Sequence, residues 1–385
     1  MIKRILHIMP GYGGGIGSYI INIIRSSNPE LIINDVASFT TYPDYYKNDV
    51  ESKGGKTFTL TRIRIKAILR SIFEIKGILN KQKYDAVYIH DTDFGALYFS
   101  TIARLCGIRR IIIHAHQTNH SDNKGILQNI KFFLYKYLTV SCATQLASCS
   151  KMASEFRFGT FYVKKHKVMH LPNSINVSAY EYDINSKEAD MLKSSIGVRD
   201  DELVLGNVGY FRKQKNHPFL VYIAKALKMR NIPFKLLLIG VGEEQSAIIN
   251  LVEKQNLKDC VIFLGQRNDV ATLFKIMDVS ILPSFFEGLP TVAVECQAAG
   301  TPILMADTIT REVDMGLGLT RYLSLDAGID VWCDTILEMS RIPHVSAETR
   351  INSIQQRYFT SSSAAELFYK FINKDISSYE FGEKF

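Results

Sequence analysis

Two glutamates eight residues apart, Glu287 and Glu295, stand in the segment Ile281-Leu-Pro-Ser-Phe-Phe-Glu-Gly-Leu-Pro-Thr-Val-Ala-Val-Glu295. A carboxylate accepts two hydrogen bonds side by side, which matches the vicinal diol of a ribose or a hexose. Pro290 suits the first turn of a helix and Gly300, just before Pro302, suits its stop, so Glu287 is expected in a loop and Glu295 on the helix. The backbone N–H groups of Gly288 and Leu289, close to that helix start, can meet phosphate or sugar oxygens. Glutamates at this spacing are common by chance. The flanking Pro-Ser-x-x-Glu-Gly-x-Pro and the Ala-Ala-Gly-Thr-Pro302 that follows give this pair its weight.

A cationic counterpart lies upstream. Gly206-Asn-Val-Gly-Tyr-Phe-Arg-Lys-Gln-Lys-Asn-His217 follows an apolar run and sets Gly209, Arg212, Lys213 and Lys215 in a short loop before a helix. Three cations there can clamp a diphosphate as it departs, although a solvated basic turn has the same spacing. Gly240-Val-Gly242 and Gln266-Arg-Asn-Asp269 each close a later strand, as glycine turns commonly do. Near the N-terminus, Gly11-Tyr-Gly-Gly-Gly-Ile-Gly17 can bring backbone N–H groups, those of Gly14 and Gly15 among them, against a phosphate. It is not a strict G-x-G-x-x-G, and the acid expected about 20 residues on would be Asp35, at the start of the second strand rather than its end, so a dinucleotide cofactor fits poorly.

Histidines and aspartates form two further clusters. His90-Asp-Thr-Asp93 contains a D-x-D triplet, read here as a strand end followed by an aspartate cap on Phe94–Leu105, with no metal. Ile111-Ile-Ile-His-Ala-His-Gln-Thr-Asn-His120 places His114, His116 and His120 at and beyond a strand end. Alternation puts His114 and His116 on one face, where they can form a metal pair, yet no carboxylate or third ligand stands at the usual spacing.

The elements that must position these residues are short apolar runs alternating with longer helical stretches, the pattern of parallel sheets covered by helices. The first half offers Lys3–Met9, Asp35–Thr41, Thr57–Leu60, Tyr84–His90, Arg110–His114 and Thr144–Ser148 as strands. The second offers Leu203–Tyr210, Phe234–Gly240, Val261–Leu264, Val279–Pro283, Pro302–Met305 and Arg321–Ser324. A chain of 385 residues exceeds the usual span of one core, so two doubly wound, Rossmann-like domains are expected, with the seam at Leu171–Asn176 or in the polar stretch to Asp201. The division is residues 1–175, 176–355 and a C-terminal helical part, 356–385.

Composition bounds the function class. With 46% hydrophobic and 22% charged residues the chain reads as an ordinary folded protein. It has no bilayer-spanning run and no signal-peptide pattern, which points to the cytoplasm. Its six cysteines are scattered without C-x-x-C pairs, so neither zinc nor disulfides are indicated. Residues 1–190 carry 25 Lys and Arg against 15 Asp and Glu, and residues 191–385 carry 21 against 23, so the excess of +8 comes entirely from the first half. Arg62–Lys83 is a basic amphipathic segment and Lys124–Leu138 sets Phe132, Phe133, Tyr135 and Tyr137 among lysines. Such helices can lie on an anionic membrane, or cover the sheet with their lysines solvated. Neither stretch carries a nucleic-acid-binding motif.

The E-x7-E segment and its surroundings resemble the retaining GT-B glycosyltransferases called family 4, and the His-x-His string resembles their polysaccharide-biosynthesis branch. The resemblance implies a GT-B fold of two facing Rossmann-like domains with a cleft between them, and a final helix that crosses back to the first domain. It implies a hexosyltransferase that uses a nucleoside diphosphate sugar, UDP-sugar favoured, needs no metal or other cofactor, and serves a saccharide or lipid-linked saccharide acceptor in capsular, exopolysaccharide or O-antigen assembly. Glu295 would hold the ribose, Glu287 the transferred sugar and Lys215 the diphosphate. Gly14 and Gly15 would face that diphosphate from the first domain, Gly240 would lie near the nucleobase, and His116 would lie by the anomeric carbon and acceptor. The family's arginine position holds Tyr210, so either Arg212 supplies the charge from two residues later or Lys215 carries it. Two rivals keep the same build: a sugar-nucleotide epimerase, and a catalytically silent sugar-nucleotide-binding partner subunit.

Overall fold

The computed structural model describes residues 2–91, 93–116, 126–165 and 168–373. The chain divides into two compact units, Met1–Ile175 with Tyr358–Lys384, and Asn176–Arg357.

The first unit is built on seven strands: β1 (Lys3–Met9), β2 (Ile32–Ser38), β3 (Thr57–Thr59), β4 (Ala86–Ile89), β5 (Ile111–Ala115), β6 (Gln145–Ser148) and β7 (Val168–His170). All pair in parallel, in the order β3-β2-β1-β4-β5-β6-β7. The central strands are buried on both faces, β4 and β5 along their whole length, which is why they read as unbroken apolar runs. Helix Ser361–Asn373 belongs to this unit: Leu367, Phe368 and Phe371 share one core with Ile5, Ile20 and Tyr88. Arg110, at the foot of β5, donates from Nη2 to the Phe371 carbonyl at 2.6 Å and so caps the end of that helix, where free carbonyls favour a cation.

Two strand expectations are corrected. The second strand begins three residues earlier than expected because its pairing with β1 starts at Lys3 opposite Ile32, so Asp35 sits in mid-strand rather than at its start. There it is buried, accepting from Arg4 at 2.8 and 2.9 Å and from the Tyr84 hydroxyl at 2.6 Å, which makes it a structural anion. The other is β7, three residues long, too short for a period of two to show in sequence.

The second unit holds β8 (Leu203–Val208), β9 (Phe234–Ile239), β10 (Val261–Gly265), β11 (Val279–Leu282), β12 (Ile303–Ala306) and β13 (Thr320–Leu323). They too are parallel, ordered β10-β9-β8-β11-β12-β13. Helix Thr291–Ala299 follows β11, with Pro290 as its N-cap, one position before the expected first turn, and Gly300 closing it in the left-handed region at φ 86°. In both sheets the chain winds outward one way and then the other, so the strand order reverses at β1/β4 and at β8/β11. Open α/β sheets bind ligands outside the carboxyl ends of the strands at that reversal.

Candidate active site

The reversal point of the second sheet brings the two sequence-selected loops of that unit together. Lys213–Lys215 forms one tight 3-10 turn beyond β8, ended by Asn216 in the left-handed region at φ 54°. Phe285-Phe-Glu287 leaves β11 beside it. The Phe285 amide donates to the Gln214 carbonyl at 2.9 Å, and Gln214 Nε2 donates back to the Phe286 carbonyl at 2.8 Å and to Glu287 Oε2 at 3.2 Å. Lys215 Nζ then lies 2.7 Å from Glu287 Oε1, with 17% and 9% of the two side chains exposed. The site therefore holds a cation and a carboxylate side by side, largely screened from water. A Cβ at Gly209 would stand 3.3 Å from Lys215 Cε, so that glycine leaves room for the lysine stem.

Arg212 is placed differently. Its side chain is exposed, 3.9 Å from Glu243, with its guanidinium 5.2 Å from the Tyr210 ring centroid. Glu295 lies on helix Thr291–Ala299, where desolvation pushes its carboxyl up to about 7. Leu289 is buried and Gly288 partly so, at the entrance to the same helix.

In the first unit the corresponding reversal point holds a cluster of histidines. His7 Nε2 lies 3.0 Å from Asn34 Oδ1, His7 Nδ1 lies 3.0 Å from His90 Nε2, and His90 Nδ1 lies 3.0 Å from His116 Nε2. Beside this row, Tyr88 Oη meets His114 Nδ1 at 2.7 Å, and His114 stacks on His116 with ring centroids 3.9 Å apart. His116 Nδ1 is buried with no hydrogen-bond partner among the described residues, and the amide of the neighbouring Asn173 faces Gly15. Desolvation lowers all four rings: His7 to about 4, His116 to about 3, His90 and His114 well below the ordinary value, so all are neutral near pH 7. A cleft of about 50 Å³ opens onto His90, Asp91, His114, His116, Ile16 and Arg157. Gly14 and Gly15 are exposed at the start of helix Gly14–Ser26. His120 and Thr92 lie outside the described residues.

Sequence reasoning passed over His7 and took His90 as part of a capping motif. Each stands at the carboxyl end of its strand, as His114 does, and only the order β1-β4-β5 shows that those ends are neighbours. Nitrogens of His90, His114 and His116 lie within 4.8 Å of one another, a third ligand that spacing alone did not supply. The donor set suits a cation such as zinc, but metal–nitrogen bonds lie in the ring plane at about 2.0–2.1 Å. The His114 and His116 rings are stacked at 26°, so their lone pairs run side by side instead of converging on one point. The arrangement fits a hydrogen-bonded stack better than a metal centre.

Residues 189–314 match the family model described as Glycosyl transferases group 1, and residues 35–150 match that described as Glycosyl transferase 4-like. Over 336 residues the chain is 33% identical to the putative glycosyltransferase EpsF of Bacillus subtilis (strain 168), covering 87% of each. It is 28% identical over 245 residues to the UDP-Gal:alpha-D-GlcNAc-diphosphoundecaprenol alpha-1,3-galactosyltransferase of Escherichia coli, covering 62% of each. The crystal structure of Anabaena HepE in complex with UDP and glucose superposes with a TM-score of 0.77 at 16% identity, over 97% of this chain and 100% of that one, a likeness of fold.

Proposed function

The chain belongs to the glycosyl transferases group 1 family, and we propose that it moves a hexosyl group from a nucleoside diphosphate sugar, a UDP-sugar by preference, to a saccharide acceptor with retention at the anomeric carbon. The observation that carries this is the Lys215–Glu287 pair at the β8/β11 reversal. Glu287 takes hydroxyls of the transferred sugar and Lys215 meets the charge that grows on the departing diphosphate. Gly288 and Leu289 add backbone N–H groups, Glu295 takes the ribose, and the turn at Gly240 borders the base. Arg212, on an exposed side chain with a distant partner, serves as the second cation. In the first unit Gly14 and Gly15 supply amides for the diphosphate and His116 receives the sugar or acceptor. Positioned cations and amides do the electrostatic work, so transfer needs no divalent metal.

A lipid-linked acceptor of capsular, exopolysaccharide or O-antigen assembly is supported by the name of the Escherichia coli relative, which carries a diphosphoundecaprenol-linked sugar. The basic excess of the first half supports it as well. Helix Ile68–Lys81 exposes Leu69 and Phe73 beside Arg70, and helix Ile126–Cys142 exposes Phe133 and Tyr137, a surface suited to peripheral docking on anionic lipid from the cytoplasmic side. No helix among the described residues is long and apolar enough to cross a membrane. Flotation with vesicles containing anionic lipid tests the docking, and unchanged sedimentation at low salt would count against it.

Thermal-shift measurements against UDP-, GDP-, ADP- and CMP-hexoses are expected to single out a UDP-sugar, with a rise of several degrees at saturation. UDP should then be released only when a saccharide acceptor is supplied. An epimerised nucleotide sugar without acceptor, or binding without any turnover, would replace this reading by one of its rivals.

The raised carboxyl of Glu295 gives the donor a pH dependence. Between pH 8 and pH 6 its ionised fraction falls from about 0.9 to about 0.1, so the KM for donor is expected to rise about tenfold on acidification, with a smaller change in kcat. The folded state holds this proton more tightly than the unfolded chain, so the same group makes the fold less stable as pH rises from the ordinary carboxylate range through 7. Glu295→Gln should flatten both profiles. A donor KM independent of pH would show that Glu295 does not touch the nucleotide.

A further inference from the structure

We propose that Asn34, His7 and His90 are positioning residues that set which nitrogen of His116 carries its proton, so that His116 presents a lone pair to a hydroxyl of the sugar or acceptor. The inference rests on the assignment of His116 to that part of the reaction.

The geometry is a diagonal across four neighbouring strands, β2-β1-β4-β5. Asn34 is opposite Ile5, and His7 lies two residues beyond Ile5; His7 is opposite Tyr88, and His90 lies two beyond Tyr88. Tyr88 is opposite Ile112, and His114 and His116 follow at the next two positions of the same face. Side chains two apart on a strand share a face, so one step along and one strand across brings each ring nitrogen to 3.0 Å from the next group.

Such a row has a direction. Asn34 Oδ1 can only accept, so His7 Nε2 carries the proton and His7 Nδ1 is left to accept. His90 then donates from Nε2 to His7, its own Nδ1 accepts, and His116 donates from Nε2 into it. The last ring is left with its lone pair on Nδ1. Reversal of the row would place an N–H there, and the ring could no longer accept a hydroxyl proton. His7 and His90 are fully buried, so water is not available to break the sequence of bonds. Neutral rings are what the row requires, and burial keeps them neutral. Tyr88 and His114 form a separate bond beside the row and provide an internal control.

Histidine-selective ¹⁵N labelling with two-bond ¹H–¹⁵N correlation spectra reads the tautomer of each ring. In the full-length protein at pH 7.5, His7, His90 and His116 are each expected as one neutral form with the proton on Nε2. His7→Phe and Asn34→Leu should both move the His116 nitrogen shifts toward the Nδ1–H form and lower kcat about tenfold. The donor KM should change less than twofold in both, and Tyr88→Phe should leave the His116 shifts in place. The proposal fails if His116 in the unaltered protein carries its proton on Nδ1, or if its shifts are the same in His7→Phe and Asn34→Leu as in the unaltered protein. It also fails if the purified protein holds a stoichiometric transition metal whose removal changes the histidine spectrum. The tautomers are read without turnover, so spectra as expected from a protein that transfers no sugar would overturn the functional assignment and leave the row intact.

Discussion

Lys215→Met is expected to lower kcat/KM for sugar transfer by roughly 10²- to 10³-fold, the magnitude that follows loss of one preorganised charge from a site where negative charge develops. The methionine stem fills much of the same space above Gly209, so the loss reports the charge more than the packing. Glu287→Gln should cost a similar factor for a different reason: the amide keeps a polar atom near Gln214 but gives up one of the two acceptor positions that a diol needs. The informative measurement is the pair of substitutions together. The two groups neutralise each other at 2.7 Å with little water, so either single change leaves a largely buried partner charge behind. If both act on one bound sugar diphosphate, the double variant should be no worse than about tenfold below the weaker single variant, because residues acting as a unit are strongly non-additive. Full multiplication of the two losses in steady-state kinetics would place them in separate roles. Activity within threefold in either single variant would remove the pair from the site altogether.

What could be read from sequence and what could not divides along one physical line. Apolar runs buried on both faces, such as Ile111–Ala115 and Phe234–Ile239, announce themselves because nothing polar interrupts them. The start of the second strand is masked in sequence because Ile32 and Ile33 are followed by Asn34 and Asp35, polar residues that look like a turn. They are tolerated in the sheet because His7 and Arg4 satisfy them from β1. The turn before helix Thr291–Ala299 was legible from Pro290 and Gly300, which fixed Glu287 in a loop and Glu295 on a helix. That Glu287 meets Lys215 was not, since it depends on β8 and β11 being neighbours despite the two strands between them in sequence. The histidines are the extreme case. No local pattern links His7, His90 and His116, and their association exists only in the crossed order of the sheet.

Gly240→Ala is expected to destabilise the second unit by about 3–5 kcal/mol, combining an unfavourable backbone conformation with a steric conflict. At φ 139° the residue occupies a region that side chains rarely adopt, and an added Cβ would stand 2.0 Å from the Gly209 carbonyl oxygen. That oxygen cannot retreat cheaply, because the loop it belongs to is fastened on both sides. The Gly209 amide donates to the Ile239 carbonyl at 2.9 Å and the Phe211 amide to the Val241 carbonyl at 3.0 Å, while the Glu244 amide donates to the Phe211 carbonyl at 3.0 Å. The strand-end turn at 240–244 and the loop at 209–211 are thus zipped together, and the loop leads directly into the turn that carries Lys215. A unit of this size loses about 2–4 °C in Tm per kcal/mol, so a fall of roughly 10 °C is expected by differential scanning calorimetry. Gly318→Ala is the matched control: its φ is 71° with nothing within 4 Å of the added carbon, so only the backbone strain of about 1–2 kcal/mol should appear. A Gly240→Ala protein that melts within 3 °C of the parent would show that the loop gives way. Surviving activity at the lower Tm would show that Lys215 keeps its place without the zipper, and the rigidity ascribed to this half of the site would then rest on Gln214 and the 285–287 loop alone.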